Sequence, residues 1–137
     1  MRPAGRIAIC IAAVALAGAP SIPAAVTPKV VPRALVGCWA RDAELPAGYP
    51  SGTWRVSIKR SGKLVAYNPA VTSCGTVQDF SGSVSITGRH LTVGPLPACP
   101  ASGTYTWGLV GGSLTLEKVK DACAARVALL AGVWKRA

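Results

Sequence analysis

Gly103-Thr104-Tyr105-Thr106-Trp107-Gly108-Leu109 alternates large apolar side chains with small or hydroxylated ones, a period of two. Successive side chains of an extended strand point to opposite faces, so the pattern predicts a strand with one dry and one wet face. Gly111-Gly112 interrupts the run, and the alternation resumes with Leu114 and Leu116. Asp121-Ala122-Cys123-Ala124-Ala125-Arg126 then forms a short helical turn, and a last strand ends through Val133-Trp134-Lys135-Arg136. A hairpin, a cysteine-anchored turn and a closing strand together describe the final corner of a small antiparallel barrel.

The same grammar extends toward the N-terminus. Leu35-Val36-Gly37-Cys38-Trp39-Ala40 reads as a first strand, followed by a loop punctuated by Pro46, Gly48, Pro50 and Gly52. Trp54, Val56 and Ile58 alternate with Arg55, Ser57 and Lys59, and Ser61-Gly62 turns the chain into Lys63–Tyr67. In that strand Leu64 and Ala66 share one face, Val65 and Tyr67 the other. Asn68-Pro69 stops it, because proline lacks the amide a ladder needs. An irregular stretch with Cys74 follows. Ser83–Thr87 alternates again, Gly88-Arg89 makes a tight turn into Leu91-Thr92-Val93, and Pro95, Pro97 and Pro100 surround Cys99 in a stiff loop.

Eight strands are predicted, near 36–41, 53–60, 63–68, 82–88, 90–94, 103–109, 113–119 and 132–136. Their mostly short connections favour nearest-neighbour order, and closing the sheet removes its exposed edges. The expected fold is all-β: a small eight-stranded antiparallel up-and-down barrel with one short helical turn before the last strand. A β-sandwich is the competing architecture. Eight strands leave an interior just wide enough for side chains or one small ligand.

Arg2 and Arg6 precede an apolar run, Ile7–Ala19, of about 13 residues, short of the roughly 20 a membrane span needs. Residues 1–25 therefore read as a signal peptide, with a membrane anchor as the lesser alternative. Residues 26–34 read as a flexible Pro-rich arm, and 35–137 as the barrel domain. Cys10 lies inside the apolar run, not after it, which argues against a lipid-bearing cysteine. Removal of the leader leaves Cys38, Cys74, Cys99 and Cys123, an even set that reads as two disulfides in an exported, extracellular protein. Three connectivities are open to four cysteines. Cys99 precedes the sixth strand and Cys123 follows the seventh, which brings them to one end of a hairpin. Cys99–Cys123 is the expected pair, with Cys38–Cys74 by elimination.

The mature chain is long enough for one small domain, and it carries thirteen basic residues against five acids. A net charge of about +8 suits an anionic surface or polymer; the basic residues are dispersed, except for Arg55, Lys59, Arg60 and Lys63 around one hairpin. Nothing indicates specific nucleic-acid recognition, and a monomer is expected.

Gly37-Cys38-Trp39 is similar to the Gly-x-Trp opening of the lipocalins and their calycin relatives. Phe80-Ser81-Gly82-Ser83-Val84, Gly103 to Trp107, Leu114-Thr115-Leu116, Asp121 to Arg126 and Trp134 resemble, more narrowly, small secreted lipocalin-like proteins of actinobacteria. The resemblance covers nearly the whole mature chain. It implies Trp39 at the barrel base under a C-terminal basic residue, Arg126 or Arg136, with Trp134 sealing the last strand. The long C-terminal helix of true lipocalins is missing here, which leaves the choice between the two arginines open, and the chain is shorter than typical lipocalins, which implies a smaller cavity.

No catalytic constellation stands out. His90 sits at a hairpin turn, no Gly-x-Ser-x-Gly elbow occurs, and Asp42, Glu44 and Asp79 read as loop carboxylates. Without a Cys-x-x-Cys pair and with one histidine, no metal site is expected. The reading is a non-enzymatic protein with no cofactor that binds a small hydrophobic molecule in the barrel. Trp54, Val56, Ile58, Val84, Ile86, Tyr105 and Trp107 would line that cavity. The alternative is a filled barrel that engages an anionic surface or a protein partner through its basic strands. Asp121 is expected to cap the helical turn. Arg126, five positions on, is expected to reach an aromatic face or the chain's own carbonyls, a structural role, with an anion site inside the barrel as the functional alternative.

Overall fold

The structure, a computed structural model, describes residues 30–75 and 77–137. The expected signal peptide and residues 26–29 of the arm lie outside the described residues. A single 3₁₀ turn, Arg33–Leu35, leads into β1 (Gly37–Ala43), β2 (Gly52–Ile58), β3 (Lys63–Tyr67), β4 (Phe80–Thr87), β5 (His90–Val93), β6 (Gly103–Val110) and β7 (Ser113–Lys120). The helix α1 (Ala124–Leu130) precedes β8 (Gly132–Arg136). All neighbours pair antiparallel in sequence order, and β8 returns to β1, so the sheet is a closed eight-stranded barrel. No helix among the described residues is long and apolar enough to cross a membrane.

Antiparallel order sorts the connections onto two ends. The β2–β3, β4–β5 and β6–β7 turns share one end with the 3₁₀ turn, here called the closed end. The 43–52, 67–80 and 93–103 connections and α1 share the other, the mouth. At the closed end, ordered packing starts before Leu35: Val31 is buried, and its N–H donates to the Arg60 carbonyl at 3.3 Å. In the described part of the Pro-rich arm Val31 is the one buried residue, while Val30, Arg33 and Ala34 are exposed.

The interior is filled. Trp39, Trp54, Trp134 and Tyr105 are fully buried, packed with Leu35, Val56, Ile58, Leu64, Leu91, Leu114 and the α1 residues Leu129 and Leu130. Burying an indole costs its N–H a water partner, and the chain solves this three times in one way. Trp39 Nε1 donates to the Leu35 carbonyl, Trp54 Nε1 to Pro50 and Trp134 Nε1 to Leu130, each four residues back at 2.9–3.0 Å. Each indole thereby ties its strand to the turn, loop or helix before it. For α1 this also satisfies a terminal carbonyl, while Arg41 Nη1 donates to those of Ala128 and Leu129.

The disulfides are Cys38–Cys74 and Cys99–Cys123. Cys38, Ser57 and Val65 are neighbours across the outer face of β1–β3. The first disulfide, with an Arg55 hydrogen bond to the Val71 carbonyl, holds the 68–79 loop over that face. Val65 and Tyr67 are buried as a result, so β3 is dry on both faces.

Candidate functional site

A pocket of about 320 Å³ opens at the mouth. Leu45 comes from the β1–β2 loop, Phe80 from the start of β4, Leu96 and Pro97 from the β5–β6 loop, and Leu129 from α1; Trp54 backs the floor. Tyr49 and Asp79 stand exposed at the rim. Among the described residues no buried side-chain polar atom lacks a hydrogen-bond partner. The pocket therefore offers a mainly apolar wall, with the polar side chains of Tyr49 and Asp79 at the exposed rim, an arrangement that selects chiefly by shape and hydrophobicity.

One wall is built on a charged cluster. Arg126, on α1, donates from Nε and Nη2 to the two oxygens of Asp121, both at 2.7 Å, and from Nη2 to the Ala101 carbonyl at 2.7 Å. Tyr105 Oη donates to Asp121 Oδ2, and Asp121 Oδ1 accepts from the Cys123 N–H at 2.9 Å. The pair is desolvated, since both side chains are almost completely screened from water. Burial pushes the Asp121 carboxyl upward, yet the hydrogen bonds from Arg126, Tyr105 and Cys123 outweigh it and hold the group at about 2. Burial and the neighbouring carboxylate raise the Tyr105 hydroxyl far above its ordinary range, and the Asp121 bond raises the Arg126 guanidinium. Tyr105 is a locked donor and Arg126 a neutralised cation, which leaves neither free for proton transfer or for binding an anion.

Gly103 makes this packing fit. A Cβ there would collide with Asp121 Oδ2 and lie 3.0 Å from Arg126 Nε. The cluster thus joins β6, the end of β7, α1 and the β5–β6 loop, while Cys99–Cys123 crosslinks the same region.

The structure separates the residues expected to act together. Of the seven expected to line a cavity, only Trp54 reaches the pocket. Val56, Ile58, Val84 and Tyr105 are spent on the packed interior, while Ile86 and Trp107 are half-buried against it. Trp107 lies toward the closed end, where Nε1 donates to the Gly88 carbonyl at 3.0 Å and Arg89 stands 6.0 Å from its ring. Three fully buried tryptophans and Tyr105 fill much of an eight-stranded interior, and the pocket that Trp54 backs opens at the mouth, where loops and α1 replace strands.

Arg126 is likewise at the mouth and not at the base. Trp39 lies near the closed end, and its partner there is Arg136, 4.0 Å above the ring, which donates to the carbonyls of Val36 and Ala34. A Cβ on Gly37 would collide with Arg136 Nη1, so the glycine of Gly37-Cys38-Trp39 is the space the guanidinium occupies. Trp134 is fully buried between the two ends.

Asp42 accepts from Thr53 Oγ1 at 2.5 Å on the outer face, Glu44 and His90 are exposed, and no described group of three or more His, Cys, Asp or Glu could hold a metal. The pocket walls Leu45, Phe80, Leu96 and Leu129 were missed by sequence reasoning, since three of the four sit in loops or on a two-turn helix where no period marks them. No protein-family model matches the chain, and no curated protein matches it.

Proposed function

We propose that this is a secreted, lipocalin-like, non-catalytic binding protein that holds one compact hydrophobic molecule at the barrel mouth, not in its centre. The observation that carries the reading is the apolar pocket of about 320 Å³, whose walls contain no unpartnered buried polar atom. That size is at the lower end of the roughly 300–1,000 Å³ range of small-molecule sites, which favours a compact ligand of no more than two or three rings. Two disulfides suit an oxidising, extracellular compartment. The Arg126–Asp121–Tyr105 cluster keeps the pocket's shape without engaging the ligand's charge.

The test is a titration with N-phenyl-1-naphthylamine, an uncharged aromatic probe. One-to-one saturable binding that quenches tryptophan emission is expected. Ala125→Trp places an indole in the pocket wall and is expected to abolish saturation with the circular dichroism of the barrel unchanged. A response that never saturates in the parent protein, or one indifferent to Ala125→Trp, rules the reading out.

A further inference from the structure

The two ends of the barrel differ in charge. All five carboxylate side chains of the chain, Asp42, Glu44, Asp79, Glu117 and Asp121, lie on the mouth half or the barrel wall. The acid nearest the closed end is Glu117, four residues up β7 from Ser113, roughly 13 Å at the rise of an extended strand. The closed end itself gathers Arg33 beside the 3₁₀ turn, Lys59 and Arg60 in the β2–β3 turn, Lys63 at the start of β3, Arg89 in the β4–β5 turn and Arg136 at the end of β8. All six are exposed.

From the same end projects an apolar tip. Gly111 and Gly112, at φ +57° and +79°, form the tight two-residue link of the β6–β7 hairpin. Val110 beside them is 76 % exposed and Leu109 37 %. Val30, where the described chain enters this end, is exposed as well. A soluble surface gains nothing from valine at a hairpin tip, whereas an interface between headgroups and acyl chains does. An apolar hairpin tip on the same rim as these cations, between the β4–β5 turn with Arg89 and the end of β8 with Arg136, is the complement of a negatively charged bilayer surface.

The geometry points to the closed end as a docking surface for an anionic lipid bilayer, with Val110 and Leu109 entering the headgroup region, Arg33, Lys59, Arg60, Lys63 and Arg89 facing lipid phosphates, and the clasped Arg136 adding its charge to the same field. In that orientation the mouth pocket faces away from the membrane, open to solution. This docking is independent of the hydrophobic ligand proposed above and rests on different residues.

The experiment is co-sedimentation of the mature protein with phosphatidylcholine vesicles, with and without about 30 % phosphatidylglycerol, at low and at about 0.5 M salt. Binding is expected only to the phosphatidylglycerol vesicles and is expected to weaken with salt. Lys59→Glu together with Arg60→Glu should weaken it roughly tenfold or more. Val110→Asp should weaken it several-fold while leaving naphthylamine binding at the mouth unchanged. Val110→Trp should shift to blue emission and be quenched by brominated lipid. Lys118→Glu with Lys120→Glu, a charge-matched change on the mouth half of β7, should change little. No sedimentation, equal loss in both charge pairs, indifference to Val110→Asp, or binding to heparin that vesicles fail to displace would each overturn the proposal.

Discussion

Two arginines from the last dozen residues each clasp one end of this barrel, and they do so by opposite physics. At the mouth, Arg126 is buried and bidentate to a buried carboxylate. At the closed end, Arg136 is exposed, lies on an indole and donates to two backbone carbonyls. Both lie against a glycine that leaves room for the planar group, Gly103 in one case and Gly37 in the other. The difference is in what removal leaves behind. Loss of Arg136 uncovers a ring and two carbonyls that water can reach, whereas loss of Arg126 strands a carboxylate that water cannot reach.

The largest expected effect follows from that asymmetry. Arg126→Leu should lower the unfolding free energy by about 3–5 kcal/mol, read from the urea midpoint, because the buried pair is broken from one side. Adding Asp121→Leu and Tyr105→Phe should restore much of the loss, since removing both charges is far less costly than removing one and the phenylalanine leaves no orphaned hydroxyl. A single-variant loss below about 1 kcal/mol would place the mouth clasp in the class of surface pairs and erase the contrast.

Acid provides a smaller and sharper break. Asp121 is held at about 2 in the folded chain, below the roughly 3.9 of an unfolded aspartate. The unfolded state therefore binds more protons between those values. The stabilisation from this group is complete above about pH 4 and is lost as pH falls toward 2, on the order of 2 kcal/mol. Asp121→Asn should flatten the stability curve in that window. The closed-end clasp contains no carboxylate side chain and adds no slope there. A variant that still loses stability as steeply as the parent assigns the acid sensitivity elsewhere.

The smallest effect belongs to Arg136→Ala. An exposed cation over an aromatic ring is worth about 0.5–1 kcal/mol, and the accompanying backbone hydrogen bonds can be replaced by water. The spectroscopic change should exceed the energetic one, with emission shifting red as water reaches Trp39. Gly37→Ala should reproduce that shift by pushing the guanidinium off the ring. A cost matching that of Arg126→Leu would make the two ends equivalent.

The fold was readable because most strands carry a period of two over at least part of their length and the Ser61-Gly62, Gly88-Arg89 and Gly111-Gly112 links mark the turns. The Cys99–Cys123 pairing was readable because a hairpin places both flanks at one end. The same alternation of ends assigns Arg126 to the mouth, since it follows Cys123, yet the resemblance to a Trp–Arg base drew it to the wrong end. Tyr67 and Val65 look half-wet in sequence, because nothing local says that a loop tethered through Cys74 will cover them. The pocket was illegible for a related reason. Trp54 and Phe80 lie in alternating strands, Phe80 at the very start of β4, while Leu45, Leu96 and Leu129 meet them only through tertiary packing.

The joint between β1 and β8 has a consequence in time. It pairs at two positions only, Trp39 with Arg136 and Ala40 with Lys135, and its outermost tie links atoms 100 residues apart. A nascent chain that has emerged only as far as Ala131 already holds seven strands and all four disulfide cysteines, yet has nothing to join to β1. It remains an open sheet with two bare edges. The β1–β8 joint has the longest sequence separation of any pairing in the sheet, and contacts of that separation carry the largest loop-closure cost, which makes this seam the slowest to form.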